Sequence, residues 1–423
     1  LRVLLHNEIH ARPFVPLQAP ERISHMAVLS GEQAGGHERD HLDHLCRHYG
    51  VATPTGSNHF SHDFGDFRLR WERHTEFCTY TFMRHGPIAV PFRDPAVSLV
   101  PRDWLADFPG ERIVALHLAF ERAEVPLQGD REISALFQSD AVVGARLMEG
   151  LAQVWTDFRI HDDGFGRILL HDCGLTPHQS GRLVRRLLEI ETYRMMALLA
   201  FPLARETGGK ISRIEGSLAE ISLAMSDMSG VDDERNMLDR LTRLAAETES
   251  ISAATSYRFS AARAYYALVE RRINELREEP AEGLQTIGEF MERRLAPAMR
   301  TCDAIDRRQE SVSTRLARAS NLLRTRVNVS LQEQNRDILR SMDQRAQLQA
   351  RLQRTIEFIS VAALTYYLVS LLKYILEAAE GTVLETNAKL IIALAVPVLM
   401  AAVWLTVRWV RKIVIRKETG TAT

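Results

Sequence analysis

Two apolar runs, Ile356 to Ile375 and Leu390 to Val407, stand near the end of a chain whose earlier segments alternate or recur at helical intervals. At about 1.5 Å per residue, either run can cross a hydrocarbon core about 30 Å thick. Glu357 and Lys373 sit near the ends of the first run, where long side chains reach the headgroups. The second run is free of charge and contains Pro397, which membrane helices tolerate. A buried hairpin in a soluble core is the competing reading, but interior helices are usually shorter and seldom charge-free over such a length. Arg351 and Arg354 precede the first run, and Arg408, Arg411, Lys412, Arg416 and Lys417 follow the second. The connection carries Glu377, Glu380 and Glu385 with only Lys389. The positive-inside rule therefore predicts an outer acidic loop and both termini in the cytoplasm.

Upstream, the pattern is helical from Gly208-Gly209 onward. A first helix is expected to end at Ser229-Gly230, with Asp232 or Asp233 capping the next. That helix carries Phe259, Ala262, Tyr266, Val269, Ile273 and Leu276 at intervals of three and four. Pro280 and Gly283 interrupt it. A last helix then runs from about Leu284 into the membrane. Its seam is Met291, Leu295, Ala298, Cys302, Ile305, Gln309, Val312, Leu316, Ala319 and Leu323, with a kink expected at Pro297. Steps of four to Val327 and Leu331, before Ile338 and Met342, are a stutter that relaxes any supercoil. These seams pack either within one chain or between copies.

The first part of the chain reads as strands and short helices. Ile23–Ser30, Phe67–Arg73, Phe77–Met83, Ile113–Phe120 and Gln153–Ile160 are predicted strands, and Asp162-Asp163-Gly164 turns a hairpin into Arg167–His171. Helices are predicted over Glu38–Tyr49, around Ile133–Leu136, and from Pro177 to about Arg205 with Thr176 as cap. The expected architecture is an α/β N-terminal domain over 1–204, a long-helix, coiled-coil-like stalk over 205–355, a two-helix transmembrane hairpin over 356–410, and a basic cytoplasmic tail over 411–423.

Composition changes the picture mainly by exclusion. The 53 basic and 54 acidic residues leave a formal net charge of −1, which removes a general electrostatic case for nucleic-acid binding. Lysine occurs only at 210, 373, 389, 412 and 417, so nearly all of the basic residues are arginine. The 4 cysteines are scattered without a CxxC pair and read as reduced cytosolic thiols. Residue 1 is leucine, from which a longer chain is expected, and the first thirty residues have no signal-peptide pattern.

Three constellations could carry chemistry. His6, Glu8, His10 and Arg12 would share one face of an extended segment and could hold a phosphate or carboxylate, or form a structural ion-pair network. The segment lacks the HExxH geometry of zinc proteases. His37, His41, His44 and His48 fall on one helical stripe and could ligate a divalent metal, or could be the polar margin of the apolar stripe made by Leu42, Leu45 and Tyr49. In the first apolar run, Ser360, Ala363, Tyr367, Ser370 and Tyr374 lie on one face, which suits helix packing or an ion path. There is no Gly-rich phosphate loop, GxSxG or paired-cysteine zinc motif, so neither a catalytic residue nor a resident cofactor is identified.

The segments His6-Asn7-Glu8-Ile9-His10-Ala11-Arg12-Pro13-Phe14, Gly181-Arg182-Leu183 through Glu189-Ile190-Glu191-Thr192-Tyr193-Arg194, and Gln347–Ser360 resemble an uncharacterised bacterial family of membrane-anchored proteins. That resemblance covers essentially the whole chain and implies no reaction. The domain order is also similar to that of CorA-type magnesium channels. Where those channels carry Gly-Met-Asn, this chain reads Lys373-Tyr374-Ile375-Leu376-Glu377.

The leading expectation is a non-enzymatic, membrane-anchored scaffold or regulatory protein of the bacterial inner membrane, forming a homo-oligomer and sensing through its cytoplasmic domain. The alternatives are a CorA-like divalent-cation channel, in which Ser360, Tyr367, Ser370 and Tyr374 line the path beneath Glu377, Glu380 and Glu385, and a membrane-tethered metal-dependent enzyme using the histidine row.

Overall fold

A computed structural model describes residue 2 and residues 15–29, 36–53, 57–123, 130–226, 231–281, 283–378 and 388–418. The chain divides into two compact units, one of residues 1–228 with 236–321, the other of 229–235 with 322–423.

The first unit is built on one sheet. Its strands are β1 (Glu21–Leu29), β2 (His59–Asp63), β3 (Arg68–Arg73), β4 (Phe77–His85), β5 (Glu111–Arg122), β6 (Val143–Leu147), β7 (Ala152–Thr156), β8 (Gly166–Asp172) and β9 (Glu279–Pro280). Among the described residues they lie in the order β2-β3-β4-β1-β5-β8-β7-β6-β9. All neighbours run antiparallel except β5 and β8. A parallel pair needs a crossover, and here the chain between them makes the helix α3 (Asp130–Phe137) and the strands β6 and β7.

Alternation along the strands sorts the sheet into two faces. Met26, Val28, Leu69, Trp71, Cys78, Tyr80 and Phe82 point to one face. There they pack with Leu42, Leu45 and Cys46 of α1 (His37–His48) and with Trp104 of the short helix α2 (Arg102–Ala106). The other face carries His25, Thr79 and Thr81 beneath the helix α4 (Pro177–Leu198). Both faces of β1 and β4 are thus covered, so their polar positions are buried too.

The start of α4 follows the expectation closely. Thr176 and Gln179 form a reciprocal capping box and Pro177 occupies the first turn. Its end does not. The helix stops at Leu198 and a new one, α5 (Ala200–Ala224), begins two residues on. Pro202 lacks the N–H that would bond the Leu198 carbonyl, so the break falls one turn upstream of the proline. Pro297 does the same to Arg293, and α7 (Ile287–Arg294) gives way to α8 (Ala296–Ala378). Gly208-Gly209 does not break the chain; both glycines lie inside α5. A Cβ on Gly208 would stand 3.0 Å from Ile305 Cδ1, so the glycine lets α5 and α8 approach closely.

The long helices of this unit pack on one another. Phe259, Ala262, Val269 and Leu276 of α6 (Val231–Leu276) are buried, as are Met291, Leu295, Ala298, Cys302, Ile305, Val312 and Leu316 of α7, α8 and their junction. The seam therefore closes within the chain along this stretch. Gln309, a polar residue in its middle, is buried and lies 3.2 Å from the Thr255 hydroxyl of α6. Arg263 pairs with Asp306 at 2.6 Å. The strands β2, β6 and β9 were not expected from the sequence, and β7 ends at Thr156 rather than Ile160.

In the second unit, Ile338 and Met342 of the same apolar repeat are exposed. Two helical stretches, Ile287–Glu377 and Ile392–Val410, are long and apolar enough to cross a membrane, with best-window mean hydropathies of 1.7 and 1.8. The second belongs to α9 (Ala388–Glu418), which holds Pro397. Only 6% of either window is buried, unlike a soluble core helix.

Candidate functional site

Helix α4 and the sheet leave a small cleft between them. The register pairs His25 of β1 with Thr81 of β4, which brings the Thr81 hydroxyl to 2.8 Å from His25 Nδ1. On the opposite side His25 Nε2 lies 3.0 Å from Thr192 Oγ1 of α4. The Thr192 hydroxyl donates to the Leu188 carbonyl at 2.9 Å. Its single proton being used, Thr192 accepts from Nε2–H, and the Thr81 hydroxyl donates to Nδ1. His25 is 5% exposed, and burial pushes its pKa down to about 4. It is a neutral pin between helix and sheet.

Two ion pairs line the same cleft. Arg70 and Glu72 share one face of β3 by the two-residue period and meet at 2.8 Å. Burial alone would raise the Glu72 pKa, but the charges of Arg70 and Arg185 outweigh it and hold the carboxyl below its usual range. On α4, Arg185 reaches Glu189 one turn on, at 2.7 Å. Glu189 also takes Arg272 of α6. Burial, then the Glu189 charge, pushes the Tyr193 phenol up to about 12. His74 stacks on Phe77 with ring centres 4.3 Å apart. Val15, Leu17, Met83, Val184 and Leu188 add apolar walls, and the cleft, open on one side, has a volume of about 60 Å³. That is room for a few water molecules or one small polar molecule.

Gly181 sets the edge of the cleft. A Cβ there would lie 2.1 Å from the Val15 carbonyl oxygen, so only glycine lets residues 15–17 lie against α4. Leu17 N–H donates to the Pro177 carbonyl at 3.0 Å and fastens this contact.

A second constellation has the composition of a hydrolytic triad. Ser24 Oγ lies 3.0 Å from His117 Nδ1, and His117 Nε2 lies 4.0 Å from Asp163 Oδ2. Ser24 is 0% exposed and accepts the Val97 N–H at 3.2 Å, while His117 stacks on Phe165. Burial pushes the His117 pKa down to about 4. A serine sealed inside the sheet cannot meet a substrate, so this group is an internal strut.

The residues singled out in the sequence fall elsewhere. His6, Glu8, His10 and Arg12 lie outside the described residues, as do Glu380 and Glu385. Of the histidine row, His41 is buried and stacked on Trp104 at 4.1 Å, whereas His37, His44 and His48 are exposed. His41 turns inward because Trp104 and Tyr80 offer it an aromatic slot. Among the described residues no group of three His, Cys, Asp or Glu side chains is placed to hold a metal ion. Ser360, Tyr367 and Tyr374 are exposed along α8, Ser370 is half-buried, and Glu377 pairs with Lys373 at 3.5 Å.

The sequence profile of a family of proteins of unknown function, DUF3422, matches residues 1–414. The chain belongs to that family. No curated protein and no solved structure matches this DUF3422 member. Of the three segments that carried the family resemblance, Gly181–Arg194 forms one wall of the cleft. His25, Arg70 and Glu72 were not visible as site residues. The signal for them was a strand with charged residues at positions that a covering helix would bury.

Proposed function

We propose that this DUF3422 protein is a membrane-anchored, non-catalytic binding protein of the bacterial inner membrane. In this reading its sheet-and-helix unit lies in the cytoplasm and holds a small zwitterionic molecule in the cleft under α4. The observation that carries the reading is the pair of ion pairs, Arg70–Glu72 and Arg185–Glu189, lining one cleft together with the apolar walls of Val15, Leu17, Met83, Val184 and Leu188. A carboxylate can take the place of one glutamate on its arginine and an ammonium group the place of one arginine on its glutamate, so both ligand charges are matched. The two apolar helical stretches supply the anchor.

The anchor is tested by fractionation, in which the full chain sediments with membranes and a chain lacking 356–410 does not. Ligand binding is tested by thermal unfolding of the full-length protein in nanodiscs against the common amino acids and betaine. One of them is expected to raise Tm by a few degrees, and Arg185→Gln should abolish the rise. No shift with any of these probes would overturn the reading.

A further inference from the structure

A groove opens between α8 and α9 at the end of the two apolar runs that lies nearest their basic flanks, with a volume of about 770 Å³. It is lined by both helices. Phe358 and Val361 come from α8, Met400, Ala401 and Trp404 from α9, and an arginine from each helix, Arg354 and Arg408, closes the same end. Pro397 also lines it. The apolar part therefore begins where the charged part stops, as it does in a phospholipid.

The charges are arranged for an anion. Arg408 lies over Trp404, its guanidinium carbon 4.9 Å from the ring centroid, which fixes the fork at the groove wall. Two guanidinium groups sharing one groove repel each other, and a phosphate between them removes that repulsion through charge-assisted hydrogen bonds. Glu357 also lines the groove and has a partner of its own; against its one negative charge the two arginines leave the groove lining net positive. Val361 lies about 10 Å along the helix from Arg354, deep enough for an acyl chain to follow the phosphate inward. Basic pockets between helices on the cytoplasmic side of a membrane suit anionic headgroups.

We propose that this groove is a binding site for one anionic phospholipid, its phosphate on Arg354 and Arg408 and one acyl chain along Val361 and Ala401. The site rests on the membrane-anchored reading given above.

Native mass spectrometry of the full-length protein, extracted in mild detergent and incubated with equal phosphatidylglycerol and phosphatidylcholine, tests it. About one phosphatidylglycerol per chain should be retained in preference to phosphatidylcholine. Arg354→Gln with Arg408→Gln, both exposed positions, should cut retention about tenfold, equal to ~1.4 kcal/mol. Ala401→Trp should block the groove with the charges intact, and Arg351→Gln, outside the groove, should retain lipid like the parent. Equal retention of both lipids, or equal loss in Arg351→Gln, would mean nonspecific lipid and overturn the site. Displacement by millimolar inorganic phosphate would make the ligand a free anion and overturn it too. So would a detergent-resistant dimer broken by Ala401→Trp, which would put a second copy in the groove. Each of these results is obtained on protein already found in the membrane fraction, so failure of the site and failure of the anchor are separate outcomes.

Discussion

Thr192 of α4 receives the Nε2 proton of His25 of β1 at 3.0 Å, and this bond ties the covering helix to the middle of the sheet. Both partners are buried, and the same histidine is held from the sheet side by Thr81. Replacing Thr192 by valine keeps the shape but leaves the Nε2–H without an acceptor, which costs about 1–3 kcal/mol. Urea unfolding of Thr192→Val should show that loss, and Thr192→Ser should recover most of it. Equal stability of the valine variant would mean that the imidazole finds another partner.

Three buried histidines make stability depend on pH. Burial pushes His25, His41 and His117 each down to about 4. In the unfolded chain they take up protons near 6.5. Between these values the unfolded state binds more protons, so stability is full above about pH 6.5 and falls as pH drops through about 4. Each histidine contributes on the order of a few kcal/mol to that fall. Unfolding free energies at pH 7.5 and pH 5 should differ in the parent, and the difference should shrink in His41→Phe, which keeps the stack on Trp104.

Gly181→Ala should unseat residues 15–17 from α4. Its Cβ would stand 2.1 Å from the Val15 carbonyl oxygen, and backbone must move to admit it. The expected loss is about 1–3 kcal/mol, read as a lower Tm, with faster proteolysis near Val15. An unchanged protease pattern would count against this contact.

Gln309→Leu should raise stability. Gln309 lies in an apolar seam, and the Thr255 hydroxyl that it meets also donates to the Ile251 carbonyl at 2.8 Å. Removing the amide leaves that hydroxyl paired and buries more apolar surface, a gain of about 1 kcal/mol. A lower Tm would show that the amide holds the register of α6 and α8.

Much of this fold could be read from residue patterns, and what could not has identifiable causes. Thr176-Pro177 announced the start of α4 because a capping box depends on neighbours in sequence. Its end at Leu198 was missed because Pro202 acts four residues back, on a carbonyl rather than on its own position. Gly208-Gly209 marked the start of the helical region in the sequence, yet the helix begins earlier and runs through both, because the missing Cβ of Gly208 admits Ile305 and this packing outweighs the weak propensity. The cleft was harder still. His25, Arg70 and Thr192 come from distant parts of the chain, and only strand register and the covering helix bring them together. The histidine stripe on α1 showed the opposite problem: a regular spacing in sequence, split in space because Trp104 draws His41 into the core.

β9 brings a question of timing. Glu279 and Pro280 pair with Arg146 and Ala145, and Leu276 O takes the Met148 N–H at 3.0 Å, so one margin of the sheet is completed by residues from beyond α6. During synthesis that margin has no strand to pair with until α6 has been made. A nascent chain therefore carries an open strand edge through the translation of the whole helix, and such edges pair readily with other chains. Slow delivery of the β9 segment leaves that edge open to pairing with other chains before the apolar runs 356–375 and 390–407 have been translated.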